Sequence, residues 1–348
     1  MSENYFVERN NKNIIKLKEL LRELPYFMNE YFVGVESRTT PLTRLNYAFD
    51  MRIFFDYLVK EVPMFFDKKV VELTIQDLDK VTAPQIEAYL SYLNLYTFNG
   101  KRYSNNEKAK ARKLSAIRSV LKYFFKKEKI TANVSTKVEV PKLHEKEIIR
   151  LEVDEVVKLI DQAENADLLT KMQQSFNKHT RVRDVAILTL FLGTGIRISE
   201  LVGINIDDVD FNINGFKITR KGGNQVVLYF SDEVRSALEN YLQERLNYED
   251  VDVNEKALFL SLQKKRIGVR TVEKLVKKYS QAVTPLKHIT PHKLRSTYGT
   301  NLYRETQDIY IVADVLGHKD VNTTKKHYAA ISEDARRSVA NKVKLRDE

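Results

Sequence analysis

Residues 290–328 read TPHKLRSTYGTNLYRETQDIYIVADVLGHKDVNTTKKHY, and this stretch decides what the rest of the chain must supply. Thr290 can cap a helix, and Pro291 suits its first turn because an N–H is not needed there. His292 and Arg295 stand three apart and so share one helix face. A second, apolar helix over residues 309–316 is expected to end at Gly317, with His318 directly after it. Tyr328 follows ten residues later on a lysine-rich segment. Arginine holds phosphate oxygens with a planar fork that keeps its charge, histidine moves protons, and an activated phenol attacks. Such a set can carry out phosphoryl transfer. It calls for a second arginine, a general acid and a grip on a polyanion.

Toward the N-terminus, residues 181–192 form a strongly apolar helical run closed by Gly193 and Gly195. Glycines there let the backbone turn sharply, which makes Arg197 the candidate second arginine. Residues 210–219 alternate like a strand, Arg220-Lys221-Gly222-Gly223-Asn224 reads as a hairpin turn, and residues 226–230 as the partner strand. Lys221 on that hairpin can reach over a bound substrate and deliver a proton; taken alone it is more often an ordinary turn lysine. Each histidine taken alone is more often structural than catalytic. Further helices are expected over residues 154–163, after Ser231, over 271–282 and over 332–344, with a short strand at 257–261.

The first part of the chain reads as helical. Residues 1–13 look loose, and residues 14–32 carry helical spacing interrupted by Pro25. Thr40-Pro41 opens a helix with Tyr47, Met51, Phe54, Phe55 and Leu58 on one face, a core stripe rather than a base-stacking platform. A third helix is expected over residues 84–96. A fourth begins at a capping box of Ser104 and Glu107 and buries Leu114, Ile117, Leu121 and Phe124. Lys108, Lys110, Arg112, Lys113, Arg118 and Lys122 are then left on its remaining surface.

Residues 101–150 hold 15 lysines and arginines against five acidic residues, nearly the whole of the chain's net charge of +11. So local and single-signed a field favours DNA, with Lys108, Arg112, Arg118 and Lys122 as the leading contacts. Residues 131–150, with Pro141 and several lysines, read as an exposed linker.

The 348 residues suffice for two domains, each with its own core. A hydrophobic share of 43% excludes a disordered chain. With no cysteine there are neither disulfides nor thiolate metal sites, which suits the cytosol. The charged first thirty residues do not read as a signal peptide, and no apolar run is long enough to span a membrane. His288 and His292 stand four apart, but Pro291 lies between them and no carboxylate or cysteine has ligand spacing, so no metal is expected.

Gly193-Thr-Gly-Ile-Arg197-Ile-Ser-Glu200, His292-Lys-Leu-Arg295, Leu316-Gly-His318 and Tyr328 together resemble the signature boxes of the tyrosine recombinases, in the family's order and spacing. The family comprises phage and transposon integrases and the bacterial Xer-type site-specific recombinases. The resemblance implies a mainly α fold with a small antiparallel β-sheet. A helical, SAM-like core-binding domain (residues 1–135) and a linker (136–150) would precede a catalytic domain of the DNA breaking-rejoining fold (151–348). It also implies that Arg197, Arg295, His292 and His318 surround the scissile phosphate, that Lys221 protonates the leaving 5′-hydroxyl, and that Tyr328 forms a 3′-phosphotyrosyl link. Neither metal, ATP nor another cofactor would be needed.

The implied partner is double-stranded DNA carrying a specific site, bound by a homo-tetramer that brings two sites together and exchanges its C-terminal helices, away from any membrane. Ser296 and Thr297 depart from the His-Thr that many members carry after the second arginine. The short first domain, residues 218–223 and residues 257–261 look most like the single-protein Xer recombinases of Gram-positive cocci, which implies chromosome dimer resolution. An integrase or excisionase of a phage or conjugative transposon is the alternative. A type IB topoisomerase or a non-catalytic DNA-binding protein fits the set of boxes less well.

Overall fold

The computed structural model describes residues 5–142, 149–220, 223–317 and 321. The chain divides into two units, Met1–Lys146 and Glu147–Glu348.

The first unit is built on helices α1 (Tyr5–Leu21), α2 (Phe27–Gly34), α3 (Pro41–Glu61), α4 (Ile75–Asp79), α5 (Ala83–Tyr92) and α6 (Glu107–Lys126). A two-stranded hairpin, β1 (Tyr96–Phe98) and β2 (Lys101–Tyr103), lies between α5 and α6. Thr40 caps α3 by accepting a hydrogen bond from the Thr43 amide, and Pro41 occupies the first turn as its missing N–H allows. Met51, Phe54, Phe55 and Leu58 are buried, so the aromatic stripe is core, packed against α1 and α6.

α1 starts at Tyr5, so residues 5–13 are helical rather than loose. α5 stops at Tyr92, because Asn99 and Gly100, both at positive φ, form the two-residue turn of a hairpin and draw residues 96–98 into a strand. The cap of α6 is Asn106, whose side chain accepts from the Ala109 amide, and not Ser104. Lys110 and Lys113 are buried rather than on the outer surface. Lys113 donates to the buried Asp50 at 3.1 Å, and Lys110 pairs with Glu107 at 2.7 Å. Beyond α6 the chain stays packed: Thr131 binds the Asp79 carboxylate and Val138 buries in the core, so this part of the stretch read as linker lies on the first unit.

The second unit is organised around α9 (Arg181–Thr194). Before it come α7 (Val153–Asn165), where a helix is expected, and the short α8 (Lys171–Asn177), which alone of the two the spacing does not announce. After it come α10 (Ile198–Leu201), strands β3 (Val209–Asp210), β4 (Gly215–Thr219) and β5 (Gln225–Tyr229), and helices α11 (Asp232–Leu246), α12 (Val269–Val283), α13 (Pro291–Thr306) and α14 (Ile309–Leu316). Ala186 to Phe191 are buried without interruption, as a helix enclosed on all sides requires, and α7, α11 and α13 pack on α9.

The sheet is antiparallel in the order β3–β4–β5, with Gly215 opposite Tyr229 and Thr219 opposite Gln225. What read as one strand over residues 210–219 is therefore two, divided by a turn at Asn214, which holds positive φ. Residues 257–261 make only isolated bridges, Ala257 with Asn205 and Leu260 with Arg266, and not a strand. The helix expected over residues 332–344 lies outside the described residues. Among the described residues no helix is long and apolar enough to cross a membrane.

Candidate active site

Three segments far apart in sequence meet at the C-terminal end of α14. Gly195, at φ +62°, ends α9 and lets the chain reverse into α10, with Arg197 as the residue before that helix. A side chain at Gly195 would have its Cβ 2.4 Å from Tyr298 Cδ1 and 2.9 Å from Leu316 Cδ2, so α9 can approach α13 and α14 only through glycine here. Glu200, itself buried, accepts from the Arg197 amide at 3.0 Å and from its Nη1 at 2.9 Å. That bidentate grip fixes both the backbone and the guanidinium of Arg197.

Arg295 lies one turn along α13 and is buried. Its Nη1 donates to the Gly195 carbonyl and its Nη2 to the Leu316 carbonyl. Arg197 Nη2 donates at 3.0 Å to the next carbonyl, that of Gly317. The last carbonyls of a helix have no partners within it and form the negative end of its dipole, so guanidinium groups satisfy and neutralise them together. Gly317 holds φ +60° and ends α14 where the sequence placed the turn. Asp308 caps the other end, accepting from the Tyr310 and Ile311 amides.

The structure thus brings Arg197 and Arg295 together at the residue before His318. His292 shares α13 with Arg295, is exposed, and its carbonyl accepts from Ser296 Oγ at 3.0 Å. Thr297 Oγ1, in the position where the family pattern is broken, accepts from the Leu151 amide at 3.0 Å and ties the start of the unit to α13. Lys221, His318 and Tyr328 lie outside the described residues. Arg220, immediately before Lys221, is paired on the hairpin: its amide donates to the Asn224 carbonyl at 2.8 Å, and its own carbonyl accepts from the Gly223 amide at 3.1 Å. Burial pushes its guanidinium below the ordinary arginine value, opposed by the carboxylate of Glu200. Glu200 and Arg220 are the two residues to which sequence reasoning gave no role of their own. Among the described residues no group of three or more metal-ligating side chains occurs.

On the first unit, Lys108 and Lys122 are exposed on α6. Arg112 is half-exposed and paired with the buried Asp50, while Arg118 donates to the carbonyls of Ser135 at 3.3 Å and Val138 at 2.5 Å.

Residues 150–334 match the model of the phage integrase family. Tyrosine recombinase XerC of Caldanaerobacter subterraneus subsp. tengcongensis is 34% identical, the match covering 96% of this chain and 92% of that protein. Tyrosine recombinase XerS of Streptococcus thermophilus is 29% identical over 94% of this chain and 98% of its own length. Among solved structures, XerH site-specific recombinase bound to palindromic difH substrate in a post-cleavage complex superposes with a TM-score of 0.65 at 18% identity, covering 85% of this chain and 80% of that one. A lambda integrase dimer bound to a COC′ core site gives 0.61 at 17% identity, covering 87% and 94%. At such identities the structures speak to the fold alone. The family match and the XerC relative, taken with the arginines gathered at the end of α14, place the chain in the phage integrase family, the tyrosine recombinases, enzymes that cut and rejoin DNA.

Proposed function

We propose that this chain carries out site-specific recombination of the Xer type, resolving chromosome dimers in the cytoplasm without metal or ATP. The observation that carries this reading is the convergence of Arg197 and Arg295 on the Leu316–Gly317 turn, directly before His318 in the chain. Two guanidinium groups held by buried partners before substrate arrives need no reorganisation as phosphate charge grows in the transition state. Tyr328 oxygen attacks phosphorus and the bond to the 5′-oxygen breaks. A 3′-phosphotyrosyl link forms, and Lys221 gives its proton to the leaving alkoxide. His292 and His318 exchange the phenol's proton and support the phosphate. Rejoining is the reverse with a new 5′-hydroxyl, and the link conserves the bond energy.

The chain binds double-stranded DNA through the α6 face of its first unit and the arginine site of its second. It acts as a homo-tetramer on two sites, with residues 332–344 passing to a neighbouring copy. The XerC and XerS names of the relatives favour the chromosomal role over that of an element-borne integrase.

The test traps the intermediate on a nicked suicide duplex, whose short 5′ fragment diffuses away so that religation fails. Wild type should give a denaturant-resistant protein–DNA band mapping to Tyr328. Tyr328→Phe removes only the attacking oxygen, so it should bind the duplex almost unchanged and give no band. A band that persists in Tyr328→Phe, or that maps to Tyr298, Tyr303 or Tyr310, would mean that the nucleophile lies elsewhere.

A further inference from the structure

Arg220 reaches across the second unit to the same helix end that Arg197 and Arg295 hold. Its Nη2 donates to the Val315 carbonyl at 2.8 Å and its Nη1 to the Asp314 carbonyl at 3.3 Å. Its guanidinium lies against Gly317, where an added Cβ would meet Nη1 at 2.3 Å. Its Nε is buried and, among the described residues, has no hydrogen-bond partner, so the side chain is held by its two carbonyl bonds and by packing. On its own strand Arg220 closes the hairpin through Asn224, and the next residue is Lys221. At the far end of its contact, the residue after Gly317 is His318. One side chain therefore bridges the residue before Lys221 to the turn before His318.

We propose that Arg220 is a positioning residue that ties the β4–β5 hairpin to the end of α14 and so supports proton delivery by Lys221, the next residue in the chain. This inference rests on the reading of Lys221 as general acid. The chemistry of the contact requires arginine: two neighbouring carbonyls accept from one planar fork, whereas a lysine ammonium is a point charge on a flexible stem. Without the bridge the β4–β5 hairpin loses its side-chain tie to α14, and proton delivery from the residue after Arg220 slows. The cost falls on proton delivery and not on phosphate binding, because Arg197 and Arg295 keep their own partners.

The experiment measures adduct formation by full-length wild type, Arg220→Ala, Arg220→Lys and Lys221→Ala. Each is tested on the suicide duplex with an ordinary 5′-bridging oxygen and with a 5′-bridging sulfur, which leaves as a stable thiolate and needs no acid. Melting temperature and duplex binding are recorded for each variant, and Arg220→Lys carries the test if the alanine variant does not fold. Arg220→Ala should lose about ten- to a hundredfold in rate on the oxygen substrate, with a smaller loss for Arg220→Lys. Both should return close to the wild-type rate on the sulfur substrate, as Lys221→Ala does. A loss that remains on sulfur while Lys221→Ala is rescued overturns the proposal and makes Arg220 a phosphate ligand or a purely structural residue. An unchanged rate on oxygen also overturns it. If Lys221→Ala is itself not rescued, the general-acid assignment fails and the positioning role falls with it, a result distinguishable from the other two.

Discussion

Arg197 and Arg295 donate to successive carbonyls, those of Gly317 and Leu316, although 98 residues separate them in the chain. The end of α14 thus acts as a template: the carbonyls aim two guanidinium groups, and the chain then leaves the helix at the residue before His318. The template depends in turn on Glu200 and Gly195.

Glu200→Ala should release Arg197, since the carboxylate accepts from both its amide and its Nη1. Adduct formation is expected to fall by about tenfold or more, because a transition-state contact is loosened. Duplex affinity should hold, since the proposed reading draws most of it from the basic residues of the first unit. Glu200→Gln keeps one acceptor oxygen and should lose less. Single-turnover rates beside binding isotherms provide the check, and equal losses in rate and affinity would count against this role.

Gly195→Ala meets two obstacles at once, a left-handed φ of +62° and the ring of Tyr298. Strain and overpacking together should destabilise the chain by about 2–4 kcal/mol, read from the urea midpoint. Gly100→Ala is the control. Its φ is also positive, at +74°, but its Cβ would meet nothing within 4 Å, so only the backbone penalty of about 1 kcal/mol is expected.

Asp50→Ala would leave Lys113 buried without its anion. Removing one partner of a buried pair typically costs about 3–5 kcal/mol, and the first unit should melt correspondingly earlier. A change in melting temperature no larger than that of an exposed Lys-to-Ala substitution would mean that the pair contributes little.

The elements of the site were legible where the signal is local. Gly-Thr-Gly before Arg197 marks a helix end and a reversal, Pro291 marks a helix start, and Gly317 marks a helix stop; each depends on backbone conformations that only certain residues take easily. The β1–β2 hairpin was equally legible in Asn99-Gly100, but the apolar spacing of residues 84–96 continued past the true end of α5 and concealed it. Long-range contacts left no such trace. Lys113 is charged and sits on a basic helix, and only the fold brings up Asp50, 63 residues away, to justify its burial. The role of Arg220 likewise depends on a carbonyl 95 residues distant, to which nothing in its neighbours points.

The four basic residues singled out on α6 are not equivalent in the fold, and DNA binding should reveal it. Lys108 and Lys122 are exposed, whereas Arg112 is already engaged by Asp50 and Arg118 by two backbone carbonyls. A cation that neutralises a phosphate releases a counterion and adds about 0.9 to the slope of log affinity against log salt. Replacing Lys108 and Lys122 together by glutamine should therefore lower that slope by up to about two units and weaken binding alike on specific and random duplexes. Arg112→Gln and Arg118→Gln should change the slope less and lower the melting temperature more, because they remove internal partners. Affinity measured over a series of salt concentrations for each variant decides the matter. An unchanged slope in the Lys108/Lys122 double variant would make α6 a solvated surface and move the DNA grip to another face of the first unit.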